Sequence, residues 1–258
     1  MKPIIKWSGG KGDEISNIIP HLPENYDTYI EPFIGGGALY FHLKPQKAVI
    51  TDVHKELISF YKSIKDERSQ DIYDFMKTHP NEEKMYYDVR KSVTTNQFEE
   101  ACRFYYLRKT CFRGMMRYNK SGGFNVPYGR YKTFNYENLK DNGYTELLKK
   151  TTVELQDFNW TFDNYDDENN FMFLDPPYDS PFSDYGYCTF DRNKQIELAN
   201  RFKTTKIKCL MIIGETDFIK DLYKDYIVGS YPKKYRFKLH SNRIGNEINT
   251  NHLIIKNY

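Results

Sequence analysis

The sequence predicts an α/β protein assembled from both ends of the chain around a mostly helical insertion. Three observations predict it. Apolar strand-like runs alternate with helical patterns over residues 28–51 and again after 151. The tripeptide Gly35-Gly36-Gly37 separates a strand pattern from a helix pattern, as in a nucleotide-binding α/β unit. The run Phe171-Met172-Phe173-Leu174 ends at Asp175-Pro176-Pro177-Tyr178, and two prolines without amide hydrogens cannot continue a sheet ladder. Asp175 therefore falls at the carboxyl end of a strand, the edge at which open α/β sheets bind their ligands.

Element by element, the first unit reads as a strand over 28–32, a glycine loop, a helix over 38–43 and a strand over 47–51. Helical periodicity follows over 55–64, 69–78, 82–93 and 97–110, with Pro80 separating two of these segments. Residues 115–132 read as a hairpin or irregular loop, turning at Ser121-Gly122-Gly123 and interrupted by Pro127. After a helix over 136–149, strands are expected over 152–155, 170–174, 206–213, 226–228, 235–239 and 251–256, and helices over 193–203 and 217–224. The domain boundaries that follow are 1–54 with 151–258 for the α/β domain and 55–150 for the insertion.

Composition narrows the function. No apolar run approaches the roughly 18 residues of a membrane span, and Trp7-Ser8-Gly9-Gly10-Lys11 interrupts the amino-terminal segment before a secretory signal could form. A soluble protein of the cell interior, cytoplasmic or nucleoid-associated and not secreted, is expected. Cys102, Cys111, Cys188 and Cys209 form no C-x-x-C pair and read as free, mostly buried thiols. The six histidines are scattered, so no metal is expected.

The formal net charge of +3 conceals a strong asymmetry. Residues 101–132 carry eight basic side chains (Arg103, Arg108, Lys109, Arg113, Arg117, Lys120, Arg130, Lys132), eight aromatic ones and no acid. Without those eight, the chain holds 30 Lys+Arg against 35 Asp+Glu, a formal charge of −5. Cations interleaved with aromatics and glycines suit a polyanion whose bases can be contacted or stacked, which points to nucleic acid.

The glycine loop lacks both the G-x-G-x-x-G spacing and the basic residue of a phosphate loop, so its ligand is nucleoside-like without a pyrophosphate. Asp52 follows Gly35 by 17 residues and ends the next strand, close to the spacing at which an acid hydrogen-bonds a ribose.

Taken together, Lys6-Trp7-Ser8-Gly9-Gly10-Lys11, Glu31-Pro32-Phe33-Ile34-Gly35-Gly36-Gly37, Thr51-Asp52, Arg117-Tyr118-Asn119, Phe124-Asn125-Val126-Pro127-Tyr128-Gly129-Arg130-Tyr131-Lys132 and Asp175-Pro176-Pro177-Tyr178 resemble the motif set of Dam-type, alpha-group DNA adenine-N6 methyltransferases. The match runs in order from residue 6 to 178; residues 55–100 and the segment after Tyr178 resemble the family in layout only. The resemblance implies a Rossmann-like methyltransferase sheet with helices on both faces, and an inserted target-recognition domain with a β-hairpin. It implies S-adenosylmethionine as methyl donor, double-stranded DNA as partner and the exocyclic amine of a flipped adenine, within GATC, as acceptor. A cognate restriction nuclease is a partner it allows, as in restriction-modification pairs.

Carried over residue by residue, the resemblance places Trp7, Lys11, Phe33, Gly35, Asp52 and Asp175 at the cofactor, with Asp157-Phe158 at its adenine. Asp175, Pro176, Pro177 and Tyr178 would be catalytic. An adenine amine is a poor nucleophile because its lone pair is delocalised into the ring. Asp175 and the Pro176 carbonyl could accept both amine hydrogens and stabilise the charge that develops, while Tyr178 stacks on the extruded base. Arg117 would read a guanine through its planar fork and Lys6 the outer guanine. Phe112 with Arg113 would form the wedge at the flipped site, and Arg130, Tyr131 and Lys132 would make flanking contacts. Arg113 departs from the family pattern, which has asparagine there. Met115 and Met116 are expected to pack beneath this loop. The residues alone leave open the same chemistry on another DNA site, on RNA or on a protein amide, and a DNA-binding relative without catalysis.

Overall fold

The computed structural model describes residues 1–119, 121–179, 189–235 and 248–258. Lys120, Cys188 and most of the strand expected over 235–239 lie outside the described residues.

Seven strands among the described residues form one sheet in the order β3-β2-β1-β4-β5-β7-β6. They are β1 Tyr29–Glu31, β2 Ala48–Asp52, β3 Thr151–Leu155, β4 Phe171–Leu174, β5 Lys208–Gly214, β6 Ile227–Tyr235 and β7 Ile248–Lys256. Strands β1 to β5 pair in parallel; β7 runs antiparallel to β5, and β6 antiparallel to β7. This is a Rossmann-like methyltransferase sheet, with the chain order reversing between β1 and β4.

The period-two alternation of the strands feeds two cores. Phe171 and Phe173 of β4 and Leu210 and Ile212 of β5 face one buried cluster. Met172 and Leu174, with Cys209, Met211 and Ile213, face the other. The first face is covered by α2 Ala38–Leu43, α3 Lys55–Lys65, α4 Ser69–Thr78, α5 Glu83–Lys91, α6 Gln97–Thr110 and α7 Asn142–Lys149. Leu57, Phe60, Tyr105 and Leu148 thus share one continuous core with Tyr29 and Ile50, so α3, α6 and α7 are packed onto the sheet. The second face is covered by α8 Phe158–Tyr165, α9 Arg192–Thr204 and α10 Asp217–Tyr223. A short helical run, Lys11–Glu14, α1 Ile15–Ile18 and Ile19–His21, precedes β1.

Several expectations shift. The helix expected over 136–149 is divided: a 3-10 turn at Glu137–Lys140 gives way to α7, which starts where the Asp141 carboxylate accepts the Gly143 amide at 2.9 Å. Helix α8 is capped by Asp157 and held by buried Phe158 and Phe162. The strand expected at 226–228 instead runs on through Pro232 to Tyr235 as β6. That strand has β7 as its neighbour on one side only, so a residue without an amide hydrogen is tolerated there. Residues 115–132 do double back, held by two isolated antiparallel bridges, Cys111↔Tyr128 and Tyr118↔Phe124, in place of a regular ladder.

Candidate active site and DNA interface

Because β1 to β4 are parallel neighbours, Glu31, Asp52, Leu155 and Leu174, each the last residue of its strand, bring the loops that follow to one edge of the sheet. The segment Trp7–Lys11 is tied to that edge through Lys11. Lys11 Nζ donates to Asp175 Oδ1 at 2.6 Å and to the Gly9 carbonyl at 3.0 Å. The lysine side chain is 3% exposed and the carboxylate 20%. Burial pushes the Asp175 carboxyl above the usual carboxylate range, and the Lys11 ammonium offsets only part of that rise. Lys11 Nζ also lies 5.1 Å from the centre of the Tyr178 ring.

Tyr178 is held from behind. Its ring packs edge-on against His252 at 5.2 Å, and a Cβ on Gly214 would come within 3.0 Å of it. His252 Nδ1 and Tyr231 Oη each lie 2.6 Å from Glu14 Oε2, and Lys233 Nζ lies 2.7 Å from Oε1. Burial opposes the charge on Glu14, but the hydrogen bond with His252, the nearby Lys11 charge and the contacts of Lys233 and Tyr231 hold its carboxyl at about 2.

The glycine loop builds the second half of the site. Gly35 adopts φ +44°, and a Cβ there would stand 2.7 Å from Trp7 Cδ1, so only glycine lets the indole lie against the backbone. Asp52 accepts the Gly35 amide at 3.1 Å and the His54 amide at 2.9 Å, yet burial still pushes its carboxyl up to about 6. Phe33 stacks on Phe158 at 5.7 Å, and Phe158 is itself buried in the second core, so it backs Phe33. Asp157 spends acceptor capacity on the Trp160 amide at 3.3 Å as the cap of α8. At the end of β1, Glu31 is buried, accepts the Tyr29 hydroxyl at 2.6 Å, and is pushed up to about 8 by burial.

The basic segment divides in two. Arg103 pairs with Glu56 at 2.6 Å, Arg108 is buried, and burial pushes the Lys109 ammonium down to about 8. Those cations serve the fold. Arg113, Arg117, Arg130 and Lys132 are exposed. The loop that carries them is pinned at its base: the Phe112 amide donates to Pro127 O at 2.8 Å, and the Gly129 amide to Thr110 O at 2.8 Å. Residues 130–132 are thereby drawn toward Phe112 and Arg113, and the exposed rings of Phe112 and Tyr131 belong to this surface. Arg113 takes φ +56° and lays its guanidinium 5.3 Å from the Phe112 ring centre. Arg108 donates to the carbonyls of both Lys6 and Gly114, joining Lys6 to the same surface. Arg117 is steadied by Asn125, through Nε to the side chain at 2.7 Å and Nη2 to the carbonyl at 2.9 Å. Met115 and Met116 pack against the first core, as expected.

The family model for D12 class N6 adenine-specific DNA methyltransferases matches residues 7–239. The chain belongs to this family of adenine-specific DNA methyltransferases. It is 57% identical over 260 residues to the type II methyltransferase M.CviBI of Paramecium bursaria Chlorella virus NC1A, covering 100% of both chains. It is 34% identical to M.MjaIII of Methanocaldococcus jannaschii, over 88% of this chain and 89% of that one. It is also 29% identical to the DNA adenine methylase of Vibrio cholerae, over 87% and 85%. The family resemblance read from the motifs is thereby established, and DNA is the methyltransferase's substrate.

Sequence reasoning missed His54, Glu14 and His252 in this methyltransferase, and gave Glu31 no role beyond its place in the glycine-loop motif. Solitary histidines scattered along a chain give no spacing signal, and their partners come from distant elements. Among the described residues no helix is long and apolar enough to cross a membrane, and no group of His, Cys, Asp and Glu is placed to hold a metal.

Proposed function

We propose that this methyltransferase moves a methyl group from S-adenosylmethionine to the exocyclic amine of an adenine flipped out of duplex DNA, within GATC. The observation that carries the reading is the juxtaposition of Asp175, Lys11 and Tyr178 at the sheet edge, beside a glycine cradle that ends in buried Asp52.

The cradle fits such a donor. Gly35 leaves room only for the Trp7 ring, Asp52 is a buried carboxylate at a ribose-binding position, and the loop carries no cation for a phosphate. Trp7, Lys11, Phe33, Gly35 and Asp52 would hold the cofactor, with Phe158 behind Phe33 and Asp157 at the adenine end. S-adenosylmethionine, when bound, supplies an electrophilic methyl group on a sulfonium.

The remaining work falls to the chain's own residues. The Asp175 carboxylate and the Pro176 carbonyl accept the amine hydrogens, which draws the nitrogen lone pair out of conjugation and stabilises the charge that develops as it is used. Lys11 keeps Asp175 ionised in a buried place. Pro176 and Pro177 fix the chain as it leaves β4, and Tyr178 offers its ring to the extruded base, against the support of His252. Lys6, Phe112, Arg113, Arg117, Arg130, Tyr131 and Lys132 form the DNA-reading surface, with residues 55–150 as the recognition part and 1–54 with 151–258 as the catalytic part. The relatives named type II methyltransferases support pairing with a cognate restriction nuclease.

Replacement Asp175→Ala tests the assignment. Methyl transfer should fall by at least about 10²-fold while duplex binding stays within a few-fold of the parent. Appreciable turnover by the variant would remove Asp175 from the mechanism.

A further inference from the structure

Between the cofactor wall and the DNA-reading loop runs one continuous set of contacts. His54 lies two residues beyond Asp52, and its amide donates to Asp52 Oδ1. Its ring caps α3, with Nδ1 accepting the Leu57 amide at 3.2 Å. That fixes the tautomer: the proton must sit on Nε2, which lies 2.8 Å from Tyr118 Oη and donates to it. The Tyr118 hydroxyl in turn donates to Glu56 Oε2 at 2.6 Å, and Glu56 is anchored by Arg103. On its other side the His54 ring meets Trp7 edge-on at 5.5 Å, and Trp7 is the ring that lies against Gly35. Tyr118 directly follows Arg117 and closes the loop through its bridge to Phe124.

We infer that His54 and Tyr118 are positioning residues that couple the DNA-reading loop to the cofactor pocket, so that cognate DNA and cofactor each tighten the binding of the other. The inference rests on the proposed function of that pocket and that loop. DNA that engages Arg117 fixes the loop and with it the Tyr118 hydroxyl. The hydroxyl fixes the His54 ring, and the ring holds Trp7 against the glycine cradle. The reverse path gives the same factor, because coupling between two binding equilibria is reciprocal. Neither residue needs to touch a reacting atom for this.

The test is Tyr118→Phe, which keeps the ring and removes only the hydroxyl. The probe is S-adenosylhomocysteine, titrated with and without a short GATC duplex, so that no turnover occurs. The parent should bind it about fivefold or more tightly when DNA is present. Tyr118→Phe should bring that ratio below about twofold, with affinity in the absence of DNA changed little. His54→Asn, which can still cap α3 but is too short to reach Tyr118, should do the same. A parent ratio near one, or a variant that retains the parent ratio whatever its absolute affinities, overturns the coupling. If the parent transfers no methyl group to DNA, the proposed function fails instead; intact transfer with an unchanged ratio sinks the coupling alone.

Discussion

Lys11 and Asp175, 164 residues apart in the chain, meet through a single contact of 2.6 Å at the carboxyl edge of the sheet. The lysine is almost wholly buried, so the pair is not a surface ornament whose worth salt would screen away. Breaking it leaves a largely desolvated carboxylate without its counter-charge, and that group responds by taking up a proton.

Lys11→Met is therefore expected to raise the pH at which activity rises on its acid limb, and to lower turnover at neutral pH by about tenfold or more. A pH–rate profile for kcat in parent and variant reads this directly. An acid limb in the same place would mean that Lys11 does not hold Asp175 ionised.

Asp52 carries a carboxyl pushed up to about 6 by burial. A carboxylate accepts the two hydroxyls of a ribose better than a carboxylic acid does, so cofactor affinity should fall as pH drops through about 6. Asp52→Asn should weaken cofactor binding about 10- to 100-fold at pH 7.5, the worth of a hydrogen bond to a charged group, and should flatten the pH dependence. Calorimetric titration with S-adenosylhomocysteine between pH 5 and 8 checks both.

His54 also makes stability depend on pH. Its burial, and the positive charge of Arg108 nearby, push the imidazole down to about 3. Trp7, Phe104 and Tyr118 pack around the same ring and offer it no negative charge to favour protonation. The unfolded chain binds that proton near pH 6.5, so the folded state loses stability as pH falls from there toward 3. Glu14 adds a loss that begins lower, below about 4.5, because its folded carboxyl stays ionised to about 2. Raised carboxyls such as Glu31 and Asp52 work in the opposite sense. The informative quantity is therefore a difference: His54→Asn should be less destabilising at pH 5 than at pH 7 in urea unfolding. An equal cost at both values would contradict the buried neutral imidazole.

Arg117→Ala should cost about 1–3 kcal/mol of discrimination at one guanine, while cofactor affinity is retained. Competition between GATC duplexes and duplexes altered at a single position measures it. Uniform weakening on every sequence would make the arginine a phosphate contact.

Much of this arrangement was legible before any coordinates. Helices 69–78 and 97–110 have the expected limits; at the start of α6 Asn96 accepts the Glu99 amide, a local cap legible in the sequence. Asp175 was placed at a strand end by two prolines, a signal that is local and steric. What escaped was decided by tertiary contacts. The segment Phe158–Tyr165 has weak helix formers and becomes α8 because Phe158 and Phe162 are buried against the second core. The basic stretch read as one DNA-facing surface, but Arg103 and Arg108 turn to Glu56 of α3 and to the Lys6 and Gly114 carbonyls, and the Lys109 ammonium lies 5.2 Å from the Tyr105 ring centre. His54 carried no motif, and its significance appears only when Tyr118, 64 residues away, is seen at its ring.

The most direct measurement is transfer of labelled methyl from S-adenosylmethionine to unmethylated duplex DNA, followed by nucleoside analysis and mapping of the modified positions. N6-methyladenine confined to GATC is the expected product. Methyladenine at another sequence would contradict the GATC assignment and with it the guanine-reading role of Arg117, and no methylated adenine under conditions where the protein binds both DNA and cofactor would contradict the proposed chemistry at Asp175.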